Sequence, residues 1–315
     1  MGKYFKNKIF ITGITGFVGS SLVRYFEGRE NSLVGHTRDP EQAVKKFNNT
    51  AIEITTECSA EVFNRMGIGT VVHLAGIAHD LSDRYRPEDY DRVNYENTKN
   101  VFDAFLGSGA GKFIFVSSIK AAVDSAVHAV DEEVTPAPVT AYGKSKQKAE
   151  AYIQFRGVPD SKRFYIFRPC MIHGEGNKGN LNLLYRYALS GLPYPLGAFH
   201  NQRSFLSIGN FNFIVRHFIE HDMPSGIYHL ADDGFLSTLE LYRLMAKTSG
   251  KRARIWNIPR GVMNLLVAAL MKKSEMKKLT ENLMVSNDKL IKSIGQPLPV
   301  ALKDGLVKTI KSFHE

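Results

Sequence analysis

The chain has 315 residues, a net charge of +10 and a pI near 9.4, with 43% apolar and 23% charged residues. That composition excludes a disordered or fibrous chain and is large enough for one big domain and a smaller one. Cys58 and Cys170 are the only cysteines, and the longest apolar stretch, Val262 to Met271, is about half a membrane span. A disulfide scaffold and a spanning helix are therefore not expected, and a reducing cytoplasm is. The first strand begins close to the N-terminus, so no signal peptide is expected. Basic residues do not interleave with aromatics in blocks. No nucleic-acid partner is expected, and the positive field suits an anionic diphosphate substrate.

In chain order, Ile9-Phe-Ile11 reads as a buried strand, followed by Gly13, Gly16 and Gly19 and then a helical pattern at Leu22, Val23 and Phe26. The second strand is Ser32–His36, running into Thr37-Arg-Asp-Pro40, and the third is Ala51–Ile54. Gly69–Gly76 is the fourth, before a polar loop to Pro87. A helix from Tyr95 to Leu106 carries Val101, Phe102 and Phe105 on one side. The fifth strand, Lys112–Val116, ends at Ser117-Ser118, and a helix runs from Ala141 to Phe155. Phe164–Phe167 is the sixth, ending at Arg168-Pro169. This alternation predicts an α/β fold, a doubly wound parallel sheet with helices on both faces. It breaks between Gly174 and Asn201, where Gly, Asn and Pro become denser. A dinucleotide-binding domain is expected over 1–170 with returning segments near 204–230, including strands at Phe205–Ile208 and Gly226–Leu230. A smaller α/β lobe over 171–203 and 231–315 is expected to bind substrate, with amphipathic helices at Thr238–Thr248 and Gly261–Leu279.

The glycines sit on a strand-to-helix turn, where they permit a tight bend and close backbone approach to a pyrophosphate at a helix N-terminus. Tyr142 and Lys146 lie four apart on one helix face. A free phenol titrates near 10, and a neighbouring ammonium lowers that value towards use in acid/base chemistry. Ser118, at the carboxyl end of a strand, is placed to hold the reacting oxygen. An NAD-preferring fold carries an acid at the end of the second strand, whereas here the place reads Thr37-Arg38. Arg38, with Lys45 or Lys46, suits a 2′-phosphate, so NADP is expected in preference to NAD, with Asp39 as the competing ribose ligand. No metal is called for.

Thr12-Gly-Ile-Thr-Gly-Phe-Val-Gly19, His73-Leu-Ala-Gly76, Asn94, Ser117-Ser118, Tyr142 to Lys146 and Arg168-Pro169 together resemble the extended short-chain dehydrogenase/reductases, specifically the nucleotide-sugar epimerase/dehydratase family. The resemblance implies a Rossmann-type fold in which Tyr142 is the acid/base, Lys146 holds the ribose and lowers the tyrosine pKa, and Ser118 orients substrate. It implies cofactor contacts at Gly13, Thr15, Gly16, Phe17, Val18, Arg38, Leu74, Ala75, Gly76, Asn94, Ser117, Tyr142, Lys146 and Arg168. On the substrate side it implies Ser118, Lys120, Asn180, Leu181, Leu196 and Arg203, the last gripping a diphosphate through its planar fork. His173 departs from the family, which commonly has Tyr there. Phe115–Lys120, Ala141–Lys146 and Leu192–Gly197 are similar to bacterial enzymes of surface-polysaccharide synthesis acting at C4 of UDP-N-acetylhexosamine derivatives.

The expected activity is therefore NAD(P)-dependent hydride transfer at C4 of a UDP-sugar, first as a 4-keto reductase and alternatively as a 4-epimerase, in a homodimer. A regulator on the same fold would not need Ser118, Tyr142 and Lys146, and a reductase of a ketone without a nucleotide would not need Arg203. A 4,6-dehydratase is not expected. Related dehydratases carry Thr-Asp-Glu where this chain has Ser118, Ile119 and Lys120, and water elimination needs such carboxyl groups.

Overall fold

In the computed structural model, the described residues are 8–29, 32–77, 85–177, 179–259, 261–263 and 279–313, without the side chain of Asn180. Most of the expected polar loop before Pro87, including His79, lies outside them, as does most of the expected helix from Gly261 to Leu279.

Strands β1 (Lys8–Thr12), β2 (Leu33–His36), β3 (Ile52–Thr55), β4 (Ile68–His73), β5 (Lys112–Val116), β7 (Arg163–Pro169) and β10 (Gly226–Leu230) form one sheet in the order β10-β7-β5-β4-β1-β2-β3. The pairings from β3 through to β7 are parallel. Ile9, Phe10 and Ile11 are fully buried, which is why β1 reads as an unbroken apolar run: helices cover both faces. From β1 the chain builds outwards through β2 and β3, then returns to β4 on the other side of β1. The carboxyl ends of β1 and β4 therefore flank the place where the winding reverses, the position at which open α/β sheets hold ligands.

Helices α1 (Phe17–Phe26), α2 (Pro40–Lys46), α3 (Ala60–Met66), α4 (Pro87–Tyr90), α5 (Asn97–Leu106) and α6 (Ala141–Arg156) flank this sheet. Val101, Phe102 and Phe105 of α5 pack with Phe113, Phe115 and Ile153 in one core cluster. Between α4 and α5 the residues Asp91–Glu96 form a π-helix, so the helix expected from Tyr95 begins earlier and passes through a widened turn. One lysine closes a helix end. Lys162 Nζ donates to Phe105 O, Ser108 O and Ala110 O at 3.0, 2.7 and 2.7 Å, satisfying carbonyls around the end of α5.

By internal contacts the chain divides into a unit of Met1–Asp124, Val134–Pro169 and Asn212–His229, and a unit of Ser125–Glu133, Cys170–Phe211 and Leu230–Glu315. In the second unit β6 (Ala126–Val130) pairs with β11 (Leu283–Val285), and β8 (Met171–His173) pairs with β9 (Phe205–Ser207). Phe205–Ser207, expected to return to the first domain, is thus held by β8 instead. β6 (Ala-Val-His-Ala-Val) is exposed at its three central residues, and its partner lies more than a hundred residues away, so no alternation of buried and exposed positions announces it. The core of this unit gathers Leu181 and Tyr185 from α7 (Asn180–Leu189), Leu239 and Tyr242 from the helix Thr238–Thr248, and Leu306 from the C-terminal helix Leu302–Lys311. The Tyr194 ring stacks on Tyr242 with centroids 4.9 Å apart.

Candidate active site

The turn after β1 fits a dinucleotide on its own geometry. Gly13 has φ +71°, and a Cβ there would lie 2.9 Å from Ala75 N and Cα, so a side chain is excluded by both conformation and space. A Cβ on Gly19 would collide with Gly13 O, so only glycine lets α1 start this close to β1. Gly16 is the N-cap of α1, no side chain caps that end, and the first turn carries no acid. Its N–H groups and positive dipole end are left for a phosphate. The Thr12 hydroxyl ties this turn to the end of β4, accepting from Leu74 N and Ala75 N at 3.1 and 3.0 Å.

Behind the turn lies a relay that sequence reading missed. Thr12 Oγ1 is 2.8 Å from His73 Nδ1, and His73 Nε2 is 3.0 Å from Thr98 Oγ1. Thr12 already accepts two N–H groups, so its own proton goes to Nδ1. Thr98 donates to Asn94 O at 2.6 Å, so it accepts from Nε2–H. Both assignments agree on one neutral tautomer, and burial pushes the His73 pKa down to about 3. Asn94, in the π-turn, accepts from Ile77 N at 2.8 Å and donates to Ile77 O and Ser145 Oγ at 3.0 and 3.1 Å. Its amide is spent on fixing the exit of β4 against α6. Gly76 is exposed beside it, and a Cβ there would lie 3.3 Å from Lys146 Nζ.

Tyr142 and Lys146 sit on the first turns of α6, which is N-capped by Thr140 through Gly143 N at 3.1 Å. A Cβ on Gly143 would run into Lys120 O, so this glycine lets α6 close onto the short 3-10 turn Ile119–Ala121. That approach brings the Tyr142 phenol into hydrogen bonding with Ser118. Burial pushes the phenol pKa up, the Ser118 bond draws it down, and the Tyr90 phenol and Glu150 carboxylate raise it. Lys146 Nζ donates to Val116 O at 3.0 Å and lies 4.8 Å from the centre of the Phe115 ring. Burial lowers the Lys146 pKa to about 8, with Glu150 opposing.

Other expected contacts are committed elsewhere. Arg168, 1% exposed, gives Nε to both Glu150 oxygens at 3.1 Å and Nη2 to Oε2 at 2.6 Å, and Ser117 Oγ donates to Glu150 Oε1 at 2.5 Å. Both side chains serve this internal cluster beneath α6. Lys120 Nζ bonds Asp124 O and Oδ1 at 2.7 and 3.0 Å. On the cofactor side Arg38 is exposed, Asp39 N-caps α2 by accepting from Gln42 N at 2.9 Å, and Lys46 Nζ donates to Thr15 O at 2.7 Å. Thr15, Phe17, Val18, Leu74 and Ala75 line the same turn and strand end, all part-buried.

In the second unit, Leu181 and Leu196 are 4% and 5% exposed and their side chains are spent on its core. Asn180 begins α7, and its side chain lies outside the described residues. Arg203 is part-buried, donates to Glu281 O at 3.3 Å, and has its backbone paired with Leu236 and Leu283. Burial lowers its pKa, with Cys170 and Glu281 opposing. His173 is fully buried and bonded through Nδ1 to Thr309 Oγ1 at 2.8 Å. Among the described residues no group of His, Cys, Asp and Glu is arranged to hold a metal, and no helix is long and apolar enough to cross a membrane.

Residues 9–231 match the sequence profile of the NAD dependent epimerase/dehydratase family. The chain is 30% identical over 315 residues to a UDP-glucose 4-epimerase from Vibrio cholerae, covering 97% of this chain and 95% of that protein. It is 27% identical to the N-acetyl-alpha-D-glucosaminyl-diphospho-ditrans,octacis-undecaprenol 4-epimerase of Escherichia coli O157:H7, over 80% of this chain and 76% of that one. In fold it is similar to the NAD complex of the Bordetella bronchiseptica enzyme WbmG, with a TM-score of 0.79 at 16% identity, covering 100% of this chain and 96% of that one. A UDP-glucuronic acid 4-epimerase from Bacillus cereus in complex with NAD superposes with a TM-score of 0.76 at 19% identity, covering 98% and 100% of the two chains.

Proposed function

The chain belongs to the NAD dependent epimerase/dehydratase family, and from that premise we propose that it transfers a hydride at C4 of a UDP-sugar, in the first place as a 4-keto reductase. The observation that carries the reading is the Ser118–Tyr142 hydrogen bond, one helical turn from Lys146. A bound nicotinamide supplies or takes the hydride. Tyr142 gives its proton to the C4 oxygen as that oxygen gains charge, and Ser118 O–H holds the same oxygen in place. Lys146 offers N–H donors to a ribose. The Gly13–Gly19 turn and the bare N-terminus of α1 receive the pyrophosphate. On the second unit, Arg203 is assigned to the substrate diphosphate.

Two observations favour reduction. A phenol pushed up by burial starts the cycle protonated, as the donor to a ketone must be. Arg38 is exposed while Asp39 is engaged as a helix cap, which favours NADP and a reaction that consumes reduced cofactor each turn. The 4-epimerase reading rests on the two curated relatives, both 4-epimerases by name. Neither reading includes 4,6-dehydration: Ile119 carries no proton, and Lys120 is paired with Asp124. A homodimer is the proposed assembly.

The test is incubation of the purified protein with UDP-4-keto sugars and UDP-hexoses, with NADPH or NADH, following cofactor absorbance and product mass. Stoichiometric NADPH consumption with a 4-keto sugar supports the reductase. C4 inversion with tightly held NAD and no net consumption replaces it with the epimerase. Absence of any effect of millimolar UDP on the melting temperature, with cofactor present, removes the UDP-sugar reading.

A further inference from the structure

The second unit carries a face whose charge the active site does not use. No Asp or Glu occurs between Glu175 and Glu220, nor between Glu240 and Glu275. The structure knits these two acid-free stretches together. Tyr194 N donates to Arg254 O at 2.8 Å, Trp256 N to Tyr194 O at 2.9 Å, and Arg254 Nη1 to Gly191 O at 3.4 Å. Tyr242 OH, from beneath, donates to Leu192 O and Arg254 O at 3.3 and 3.2 Å.

The ribbon over 252–256 is extended, so its side chains alternate. Ala253 and Ile255 pack on the core of the unit, and Arg252, Arg254 and Trp256 face outwards. Trp256 is 59% exposed and Leu192, beside Gly191, is 56% exposed. Large apolar side chains interspersed with arginines, without a carboxylate in either stretch, are the composition of a surface that enters the headgroup region of an anionic bilayer. The indole sits at the interface, the leucine dips below it, and guanidiniums meet lipid phosphates.

We infer that this face of the second unit, built on Leu192, Arg252, Arg254 and Trp256, docks the enzyme peripherally on an anionic membrane surface. Bare electrostatics on a polyanion would not call for the exposed Trp and Leu side chains. An isologous interface, this face against its own copy, would set the arginines against one another without a carboxylate from either stretch to meet them.

Trp256 is the single tryptophan of the chain, so its fluorescence reports on this face alone. The full-length protein is mixed with vesicles of phosphatidylcholine, with or without about 30% phosphatidylglycerol, and flotation and emission are read together. The expected result is flotation with the anionic vesicles only, weakened by salt, with Trp256 emission shifted to the blue and quenched by brominated acyl chains. The Arg252→Gln/Arg254→Gln double variant is expected to partition about 30-fold more weakly, with melting temperature and turnover unchanged. Trp256→Ala is expected to float more weakly too. Flotation without an emission shift, equal partitioning of the double variant, or no flotation overturns the inference. So does a shift produced by a single-stranded oligonucleotide but not by vesicles, or one that grows with protein concentration in the absence of lipid.

Discussion

Replacing Lys146 with Met is expected to make the unliganded protein more stable while removing its activity. Lys146 is 5% exposed, and burial takes its pKa from 10.5 to about 8. That gap corresponds to a cost of about 3 kcal/mol for keeping the ammonium charged in the folded protein at neutral pH. Two contacts offset part of it: the bond to Val116 O at 3.0 Å and the approach to the Phe115 ring, together worth about 1–2 kcal/mol. Methionine has a similar reach and no charge, so the net gain should be about 1–2 kcal/mol, or several degrees in melting temperature. The sign with pH follows from the lowered value. Below about pH 8 both folded and unfolded lysine are protonated, and the wild type carries the full cost. Between about 8 and 10.5 the folded protein releases the proton that the unfolded chain keeps, so the wild type gains stability as pH rises and the advantage of Lys146→Met shrinks. Urea unfolding of both proteins without cofactor, from neutral pH to about 10, measures this directly. A variant less stable than wild type at neutral pH, or a difference that ignores pH across that range, refutes the reasoning.

Glu150→Gln should destabilise by about 3–5 kcal/mol, since it leaves the Arg168 guanidinium buried without its carboxylate, and Glu150→Leu/Arg168→Met should recover most of the loss in the same denaturation assay. Gly143→Ala should drive α6 away from Lys120 O and separate Tyr142 from Ser118; turnover should fall by at least tenfold while cofactor affinity, read by titration, changes little. Tyr142→Phe should keep cofactor binding and lose about 10²–10⁴ in turnover; a loss under tenfold would move the acid/base role elsewhere. Arg203→Ala should raise the dissociation constant for UDP and leave that for the cofactor alone, both read by calorimetry.

What the sequence disclosed follows from how locally each feature is encoded. The Gly13–Gly19 turn, Tyr142 with Lys146, and the serines after β5 are short-range patterns, and the folded chain brings Ser118 and Tyr142 into contact. The features that hold them there are not local. Glu150 meets Arg168 across α6 and β7, and His73 reaches Thr98 twenty-five residues on. Nothing at Glu150 in the sequence distinguishes it from a solvated helix acid. Thr98 lies in a plain helical stretch, and the only local sign of the relay was a histidine in an otherwise apolar strand. Gly143 stood in view inside the Tyr-Gly-Lys-Ser-Lys motif, yet its reason is the approach of Lys120 O, which only the folded chain supplies. In the second unit, Leu181 and Leu196 matched positions tied to substrate, and their side chains lie in the core with Tyr185, Tyr194 and Tyr242, partners that come from separate stretches of the chain.

Lys162 turns the end of α5 into a clock. Its Nζ, buried beneath the carbonyls of Phe105, Ser108 and Ala110 and 4.5 Å from the centre of the Phe105 ring, can meet an acylating reagent only when that corner opens. The ratio of its labelling rate to that of exposed Lys144 then measures how often α5 lets go of the sheet, without denaturant and without a probe attached. A bound cofactor that steadies α5 through Asn94 and Thr98 would slow that clock, so its binding becomes readable at a lysine that never touches it.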